Sequence, residues 1–164
     1  DIATGRTLEQ TASLEAIALE AQRAVAAGVN TVLAQSGAAQ GGQCSAAEVF
    51  DAAGAGDRLA SSLIQQAVDR FAVSLIHTVL LVNPDLVVVG GDVYEMPHAE
   101  TLFLSPLMNT LKAALPFPPP RVTFSALGSE ACVRGAALYA IERYTVDHYP
   151  FWLENAPSLP KVEL

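Results

Sequence analysis

The stretch Leu86-Val87-Val88-Val89-Gly90-Gly91-Asp92 constrains the fold more than any other part of the chain. A run of valines and leucine without polar alternation is typical of a strand buried on both faces, as in a parallel sheet. Two glycines directly after the run permit positive φ and let another group approach the backbone closely. The pattern predicts a buried strand that ends in a ligand-facing turn, while a plain exit from strand to loop explains a lone Gly-Gly pair equally well.

The segment before this strand predicts a long helix. Asp57 follows the flexible Gly54-Ala55-Gly56 and can cap the first turn, where a negative charge suits the helix dipole. Apolar residues then recur every four positions, the C-terminal end is apolar on all sides, and Asn83-Pro84 ends the helix. We expect that apolar end to be buried.

Two further patterns complete an α/β domain. Thr7 and Gln10 predict a capping box for a first helix that Gly28 ends. A helix over 102–115 and an alternating strand over 121–127 follow the valine run, and a last helix covers 130–144. Strand, helix, strand in this order predicts a parallel pair.

Composition limits the partners of the chain. Its 164 residues are 51% hydrophobic, with a mean hydropathy of +0.33, so some apolar surface is expected to face a partner. The net charge of −8 disfavours a nucleic-acid groove in this segment. The longest apolar stretch is interrupted by polar residues and too short to span a bilayer, and no signal peptide is visible. These features predict a soluble, cytoplasmic protein.

Several fragments occur in an order and spacing that resemble a known family. They are Leu8-Glu9-Gln10-Thr11-Ala12-Ser13, Ala52–Ala60 with its Gly-Asp pair, Asn83-Pro84-Asp85 leading into the Gly90-Gly91 turn, Ser125-Ala126-Leu127-Gly128, and Gly135-Ala136-Ala137. In these fragments the chain resembles the C-terminal half of the ROK family, which comprises sugar kinases and sugar-responsive repressors. The resemblance implies one lobe of the actin-like ATPase (ribonuclease H-like) fold, rich in helices with a small sheet.

The resemblance also implies roles for three residues. In the family, the glutamate of the first fragment binds sugar hydroxyls, and this role falls on Glu9. The glycine pair lies against the adenosine of ATP in the family, and this role falls on Gly90 and Gly91 if nucleotide binding is retained. An alternative interpretation of Glu9 is an exposed first-turn carboxylate that stabilises the helix dipole.

The chain departs from the family pattern at the zinc site. The family carries cysteines at positions that Ile2 and Thr7 occupy here. Neither side chain can supply the thiolate that a structural zinc site requires. The zinc site is therefore either lost or was removed with a segment upstream of this chain, and we expect no bound metal. We expect Cys44 and Cys132 to be two free thiols in a reducing compartment.

A second departure concerns catalysis. Asp92 follows the glycine pair where kinases of the family tend to carry another glycine, and a carboxylate there can repel a triphosphate or simply begin a turn. The family's phosphate-binding loop and general base have no counterpart in the sequence. No catalytic residue is therefore assigned, and the chain alone is expected neither to phosphorylate a sugar nor to hold a cofactor. ATP and Mg²⁺ enter only if the full-length protein is a kinase.

These observations favour a function without settling it. The preferred interpretation is the sugar-sensing and dimerising part of a ROK transcriptional regulator, which binds a sugar or sugar phosphate and contacts DNA only through a segment outside this chain. The alternatives are the nucleotide-binding lobe of a glucokinase-like, ATP-dependent sugar kinase and a lobe that only mediates assembly. We assign residues 1–144 to the lobe and residues 145–164 to an aromatic, proline-rich tail.

Overall fold

A computed structural model of the chain describes residues 5–35 and 43–155. The chain divides into two compact units, Asp1–Gly128 and Ser129–Leu164. The helices are α1 (Glu9–Ala12), α2 (Leu14–Ala26), α3 (Ala46–Gly54), α4 (Arg58–Val82), α5 (Ser105–Ala114) and α6 (Ala131–Asn155), and the strands are β1 (Leu86–Val89) and β2 (Arg121–Phe124). Short 3-10 turns occupy Val32–Gln35, Asp92–Glu95 and Gly128–Glu130.

The first helix is interrupted where we predicted continuity. The predicted capping box is present, since the Gln10 amide donates to Thr7 Oγ1 at 3.2 Å and the Thr7 amide donates to Gln10 Oε1 at 3.0 Å. Ser13, however, is extended, and its side chain accepts from the Ala16 amide at the start of α2. The serine therefore caps a second helix and turns α1 into a separate short element.

Helix α4 lies at the centre of the first unit, and α1, α2, α3 and α5 all pack against it. Its buried face is lined by Ala60, Ile64, Ala67, Val68, Ala72, Leu75 and Val79. Three of these seven side chains are alanines, which allow neighbouring helices to approach closely. Phe71 on α4 meets Phe103 at a ring-centroid distance of 5.6 Å, and Phe103 meets Phe124 on β2 at 6.4 Å. Aromatic contacts thus join the helix to the sheet.

The two strands pair in parallel, as predicted, with Leu86 opposite Arg121 and Val89 opposite Phe124. Val89 and Val122 are buried beneath the sheet. The prediction that the first strand is covered on both faces is wrong for this chain, because Leu86 and Val88 are 42% and 53% exposed. The described residues supply helices to one face of the sheet and leave these two side chains uncovered.

The prediction that the C-terminal end of α4 is buried is also wrong for this chain. Leu80, Leu81 and Val82 are all exposed, Leu81 by 86%. Asn83 then ends α4 in the left-handed conformation, with φ of 47°. An uninterrupted apolar pattern shows that a helix end suits burial, but it does not show which polypeptide covers it.

A π-helical turn, Glu100–Leu104, leads into α5 and explains how Pro106 is accommodated. The Ser105 amide donates to the carbonyl of Glu100, five residues earlier. Proline offers no amide hydrogen, and its ring crowds the carbonyl four residues before it in a regular α-helix. The wider turn relieves this crowding, so the helical path begins before Leu102, where we predicted its start.

Helix α6 is longer than predicted. Residues 145–149 contain neither glycine nor proline, and Thr145 Oγ1 donates to the Ile141 carbonyl at 2.8 Å, so nothing ends the helix at Tyr144. It continues through Pro150 to Asn155. Apolar side chains on its described part are exposed, namely Val133, Leu138, Tyr139, Ile141 and Tyr144. The side chains of the predicted aromatic tail lie outside the described residues.

Among the residues that the structure describes, no helix is both long enough and apolar enough to cross a bilayer.

Asp57 fixes the start of α4 and ties it to a distant loop. Its Oδ1 accepts from the Ala60 amide at 2.9 Å, which confirms the predicted cap. Its Oδ2 accepts from the Thr31 hydroxyl at 2.8 Å and from the Val32 amide at 2.9 Å. Burial raises the pKa of Asp57, but these hydrogen bonds and one from the Leu59 amide outweigh burial and lower the pKa below its ordinary value.

Replacing Asp57 with alanine is expected to lower the free energy of unfolding by about 1–2 kcal/mol, because the variant loses an N-cap and orphans the Thr31 and Val32 donors. Since the folded-state pKa is depressed, the carboxylate stabilises the fold above the unfolded-state pKa, and this contribution is lost as pH falls through the folded-state pKa. Urea unfolding of wild type and variant from neutral to acidic pH measures both effects.

Asp69→Ala is the matched control, since Asp69 lies on the exposed side of α4 and accepts one hydrogen bond, from Gln65. Equal destabilisation by the two substitutions, or an Asp57 effect that persists unchanged into acid, would contradict the assignment.

Candidate functional site

Glu9 opens α1 and lines a surface cavity of about 490 Å³. Its side chain is exposed, so its carboxylate is available to a ligand. Arg6, which precedes α1, and Gln10 on α1 line the same cavity. The other lining residues are Ser13 at the α1–α2 junction and Glu15, Ala16 and Leu19 on α2. The cavity is polar near α1 and apolar towards Leu19.

Helix α1 is only four residues long, and specific contacts hold it in place. The reciprocal Thr7 and Gln10 bonds satisfy its first turn. Thr11 is buried, and its hydroxyl donates back to the Thr7 carbonyl at 3.0 Å. Arg70 reaches from α4 and donates to the Thr11 carbonyl at 2.9 Å. These bonds fix the position of Glu9 relative to the central helix.

A second cavity, of about 520 Å³, lies along another side of α2. Asp92 and Met96 line it from the segment after β1, Cys44 and Ser45 from the start of α3, and Gln22 from α2. Glu15 and Leu19 line both cavities. The structure therefore brings Glu9 and Asp92 to neighbouring cavities that share a wall on α2.

Gly90 and Gly91 lie at the end of β1, immediately before Asp92, and line neither cavity. Gly91 has a φ of 85° and a ψ of −172°, a conformation that side-chain-bearing residues rarely adopt. Gly90 has no positive φ. A Cβ added at either glycine would meet no heavy atom within 4 Å, so the space over the pair is open.

Acidic side chains outnumber basic ones around the two cavities. Glu9, Glu15 and Asp92 contribute carboxylates, and Arg6 is the basic residue among the described lining side chains. Arg6 Nη2 donates to the Gln10 carbonyl at 2.7 Å and lies 3.6 Å from Glu20 Oε1. Its charge is therefore already engaged within the protein.

Both cysteines are free thiols, as predicted, with Cys44 buried and Cys132 exposed. Burial, followed by the negative charge of Glu48, raises the pKa of the Cys44 thiol, so the group stays protonated and unreactive near neutral pH. Within residues 5–35 and 43–155, no three His, Cys, Asp or Glu side chains form a group that could hold a metal ion. Ile2 lies outside the described residues, and the Thr7 hydroxyl is used as a helix cap.

Sequence reasoning missed Arg6, Glu15 and Leu19 as cavity-lining residues. Glu15 follows Glu9 by six positions, which on a continuous helix would place the two side chains far apart around the axis. The extended Ser13 resets the helical phase and brings both to one cavity. The only sequence signal was Ser13 itself, as a residue type that favours N-cap positions.

Comparison with known proteins places these features in context. The model of the ROK family matches residues 3–143. No curated protein sequence matches the chain.

Solved structures give three informative likenesses. A putative sugar kinase from Cytophaga hutchinsonii is similar with a TM-score of 0.70 at 20% identity, over 84% of this chain and 45% of that one. A ROK family glucokinase from Streptomyces griseus, in complex with glucose and AMPPNP, is similar with a TM-score of 0.62 at 22% identity, over 76% of this chain and 41% of that one. A ROK family transcriptional regulator described as a homolog of the E. coli MLC protein is similar with a TM-score of 0.58 at 24% identity, over 71% of this chain and 28% of that one.

The likenesses confirm the predicted fold, a helix-rich α/β lobe with a small parallel sheet, as found in proteins of the actin-like ATPase fold. This chain spans less than half the length of each of these three structures. They include a regulator and sugar kinases, so fold similarity alone does not choose between the two activities.

The two glycines are expected to respond differently to substitution. Gly90→Ala should leave the free energy of unfolding unchanged or raise it by up to about 1 kcal/mol, because φ of Gly90 is not positive, the space around it is open, and alanine has less freedom than glycine in the unfolded chain. Gly91→Ala should lower it by about 1–3 kcal/mol, because its conformation is strained for alanine. Denaturant unfolding of both variants checks this, and equal stability of the two would show that the turn is not fixed as described.

Proposed function

Because this chain belongs to the ROK family, we propose that it is the sugar-sensing and self-associating part of a ROK transcriptional regulator. The DNA-binding segment of such a protein lies outside these residues. A net charge of −8 suits this division, since a DNA contact requires clustered Lys and Arg side chains. The proposal assigns the chain to the cytoplasm and needs no cofactor.

The placement of Asp92 carries the proposal. Asp92 directly follows the glycine turn and lines a cavity whose shared wall also carries Glu15. A phosphate oxygen within about 4 Å of one carboxylate meets a repulsion of about 1 kcal/mol even in water, and more where solvent is excluded. A nucleotide whose adenosine lay against Gly90 and Gly91 would bring its negative phosphates into the neighbourhood of Asp92, and the described residues that line the Asp92 cavity include no lysine or arginine.

Glu9 supplies the sugar contact in this proposal. An exposed carboxylate accepts hydrogen bonds from two adjacent hydroxyls, and Gln10 and Ser13 line the same cavity. Because α1 is anchored to α4 through Arg70, the backbone that carries Glu9 is held in position before a ligand arrives. Positioning of this kind lowers the conformational entropy that the protein loses when a ligand binds.

The nucleotide-binding lobe of a sugar kinase is the second candidate, and one observation favours it. The space over Gly90 and Gly91 is open, and Gly90 has no conformational need to be glycine. A flat base or ribose could therefore approach the backbone there. Under this alternative, ATP and Mg²⁺ would bind when the rest of the enzyme is present, and catalytic groups would come from outside this chain.

Sugar binding tests the proposal directly. Isothermal titration of the chain with a panel of hexoses and amino sugars should identify at least one ligand, and Glu9→Gln should weaken its affinity about ten-fold or more, because an amide accepts fewer hydrogen bonds and carries no charge. Thermal melting of the variant should match that of the wild type, since Glu9 is exposed.

Glu100→Gln is the matched control, because Glu100 is an exposed carboxylate on the same unit that lines neither cavity. Undiminished sugar affinity in Glu9→Gln would remove Glu9 from the site. Saturable binding of AMPPNP by the chain, located at Gly90 and Gly91, would favour the kinase alternative over the regulator.

Self-association is proposed to involve the exposed end of α4. Leu80, Leu81 and Val82 form a run of large apolar side chains that monomeric proteins rarely leave in water. Light scattering should report a dimer, and Leu81→Lys should shift the mass towards the monomer without lowering the melting temperature of the fold. Val73→Lys, at an exposed valine earlier on α4, is the control. A wild-type monomer at micromolar concentration would contradict this part of the proposal.

A further inference from the structure

We infer that the paired cavities select an unphosphorylated sugar over the corresponding sugar phosphate. The inference rests on the proposed function and narrows its ligand class. It follows from the charge around the shared wall on α2, where Glu15 faces both cavities and carboxylates flank it on either side. A neutral hydroxyl can donate to each of these groups, whereas the negative charge of a phosphate group is repelled by them.

The nearest cation does not offset this charge. Arg6 lines the Glu9 cavity, but its guanidinium already donates to the Gln10 carbonyl and lies beside Glu20. Arg23 lies one helical turn beyond Glu20 on α2 and donates to the same carboxylate at 2.9 Å. A phosphate that recruited either arginine would have to replace an existing charged contact with Glu20.

The sequence supplies no further basic residue to these cavities. Arg6 and Arg23 are the basic residues between positions 1 and 57, and no lysine or arginine occurs between Arg70 and Lys112. Every residue that lines the two cavities lies either between positions 1 and 57 or between Arg70 and Lys112. The residues of positions 36–42 and 1–4, which lie outside the description, include no lysine or arginine either. The excess of carboxylates is therefore a property of the sequence.

Phosphate-binding sites are built differently. They present free backbone amides, usually at a helix start, or unengaged arginine and lysine side chains. The starts of α2 and α3 border the second cavity. At α2 the Ser13 hydroxyl accepts from the Ala16 amide, and Glu15 places a carboxylate in the first turn. At α3 the Ser45 hydroxyl accepts from the Glu48 amide and Glu48 Oε2 accepts from the Ser45 amide at 2.7 Å. This capping box adds a carboxylate at the place where an anion would bind.

The test compares each sugar with its own phosphate ester. The probes are glucose, glucose 6-phosphate, N-acetylglucosamine and N-acetylglucosamine 6-phosphate, titrated into the full chain by calorimetry at low and high salt. The expected result is that the ester of any sugar that binds is at least about ten-fold weaker at low salt, and that the difference shrinks as salt screens the carboxylates.

Two variants connect the selectivity to its cause. Glu15→Gln combined with Asp92→Asn should reduce the preference for the free sugar several-fold, chiefly by improving binding of the ester. Both side chains are exposed, so the double variant should retain the fold. Asp92→Asn alone should reduce the preference for the free sugar by a smaller factor. Glu100→Gln should leave the preference unchanged.

The outcomes separate the two hypotheses. If a free sugar binds and its ester binds equally or more tightly, the inference is wrong while the proposed function stands. If the preference survives unchanged in the double variant, the carboxylates do not cause it and the inference is again wrong. If none of these probes and no sugar of the wider panel binds, the proposed function fails and the inference fails with it.

Discussion

The packing of four helices against α4 is the constraint on which the described fold of residues 5–128 depends. Its buried face combines small alanines with Ile64, Val68, Leu75 and Val79, so the surrounding helices approach closely and share one core. Asp57 determines where this helix begins, and its second carboxylate oxygen holds the Thr31 loop against that start. Phe71 extends the same core to the sheet.

The candidate site inherits its geometry from this helix. Arg70 on α4 holds the end of α1, which presents Glu9, and α2 packs on α4 while carrying the wall between the two cavities. The core beneath is close-packed, so the backbone segments that carry the carboxylates are fixed relative to one another. We therefore regard the charge of the site, more than its shape, as the property that selects a ligand.

The sequence predicted the features that depend on local chemistry. Asp57 and Thr7 cap helices as their residue types indicate, and the valine run and the alternating strand pair in parallel. The break at Ser13 was not predicted, because the apolar pattern of α2 shows no interruption relative to the residues that precede α2. Pro106 follows a π-turn that no helix-start rule anticipates.

Burial was predicted less well, for a physical reason. Apolar periodicity shows which side chains suit an interior, but Leu81 and Val88 become buried only if other polypeptide covers them. The site was found only in part, because Glu15 joins Glu9 through a break in helical phase. The assignments of Glu9, Gly90 and Gly91 came from family resemblance and stay predictions.

Amide chemical-shift mapping tests the central claim most directly, because it locates the ligand and does not merely detect it. On addition of the tightest-binding sugar, the account predicts shifts concentrated in α1 and the first turns of α2, around Glu9 and Glu15. It predicts no comparable shifts at Gly90 and Gly91 when AMPPNP is added. Saturable shifts centred on the glycine turn with AMPPNP, and none around Glu9 with any sugar, would contradict the account.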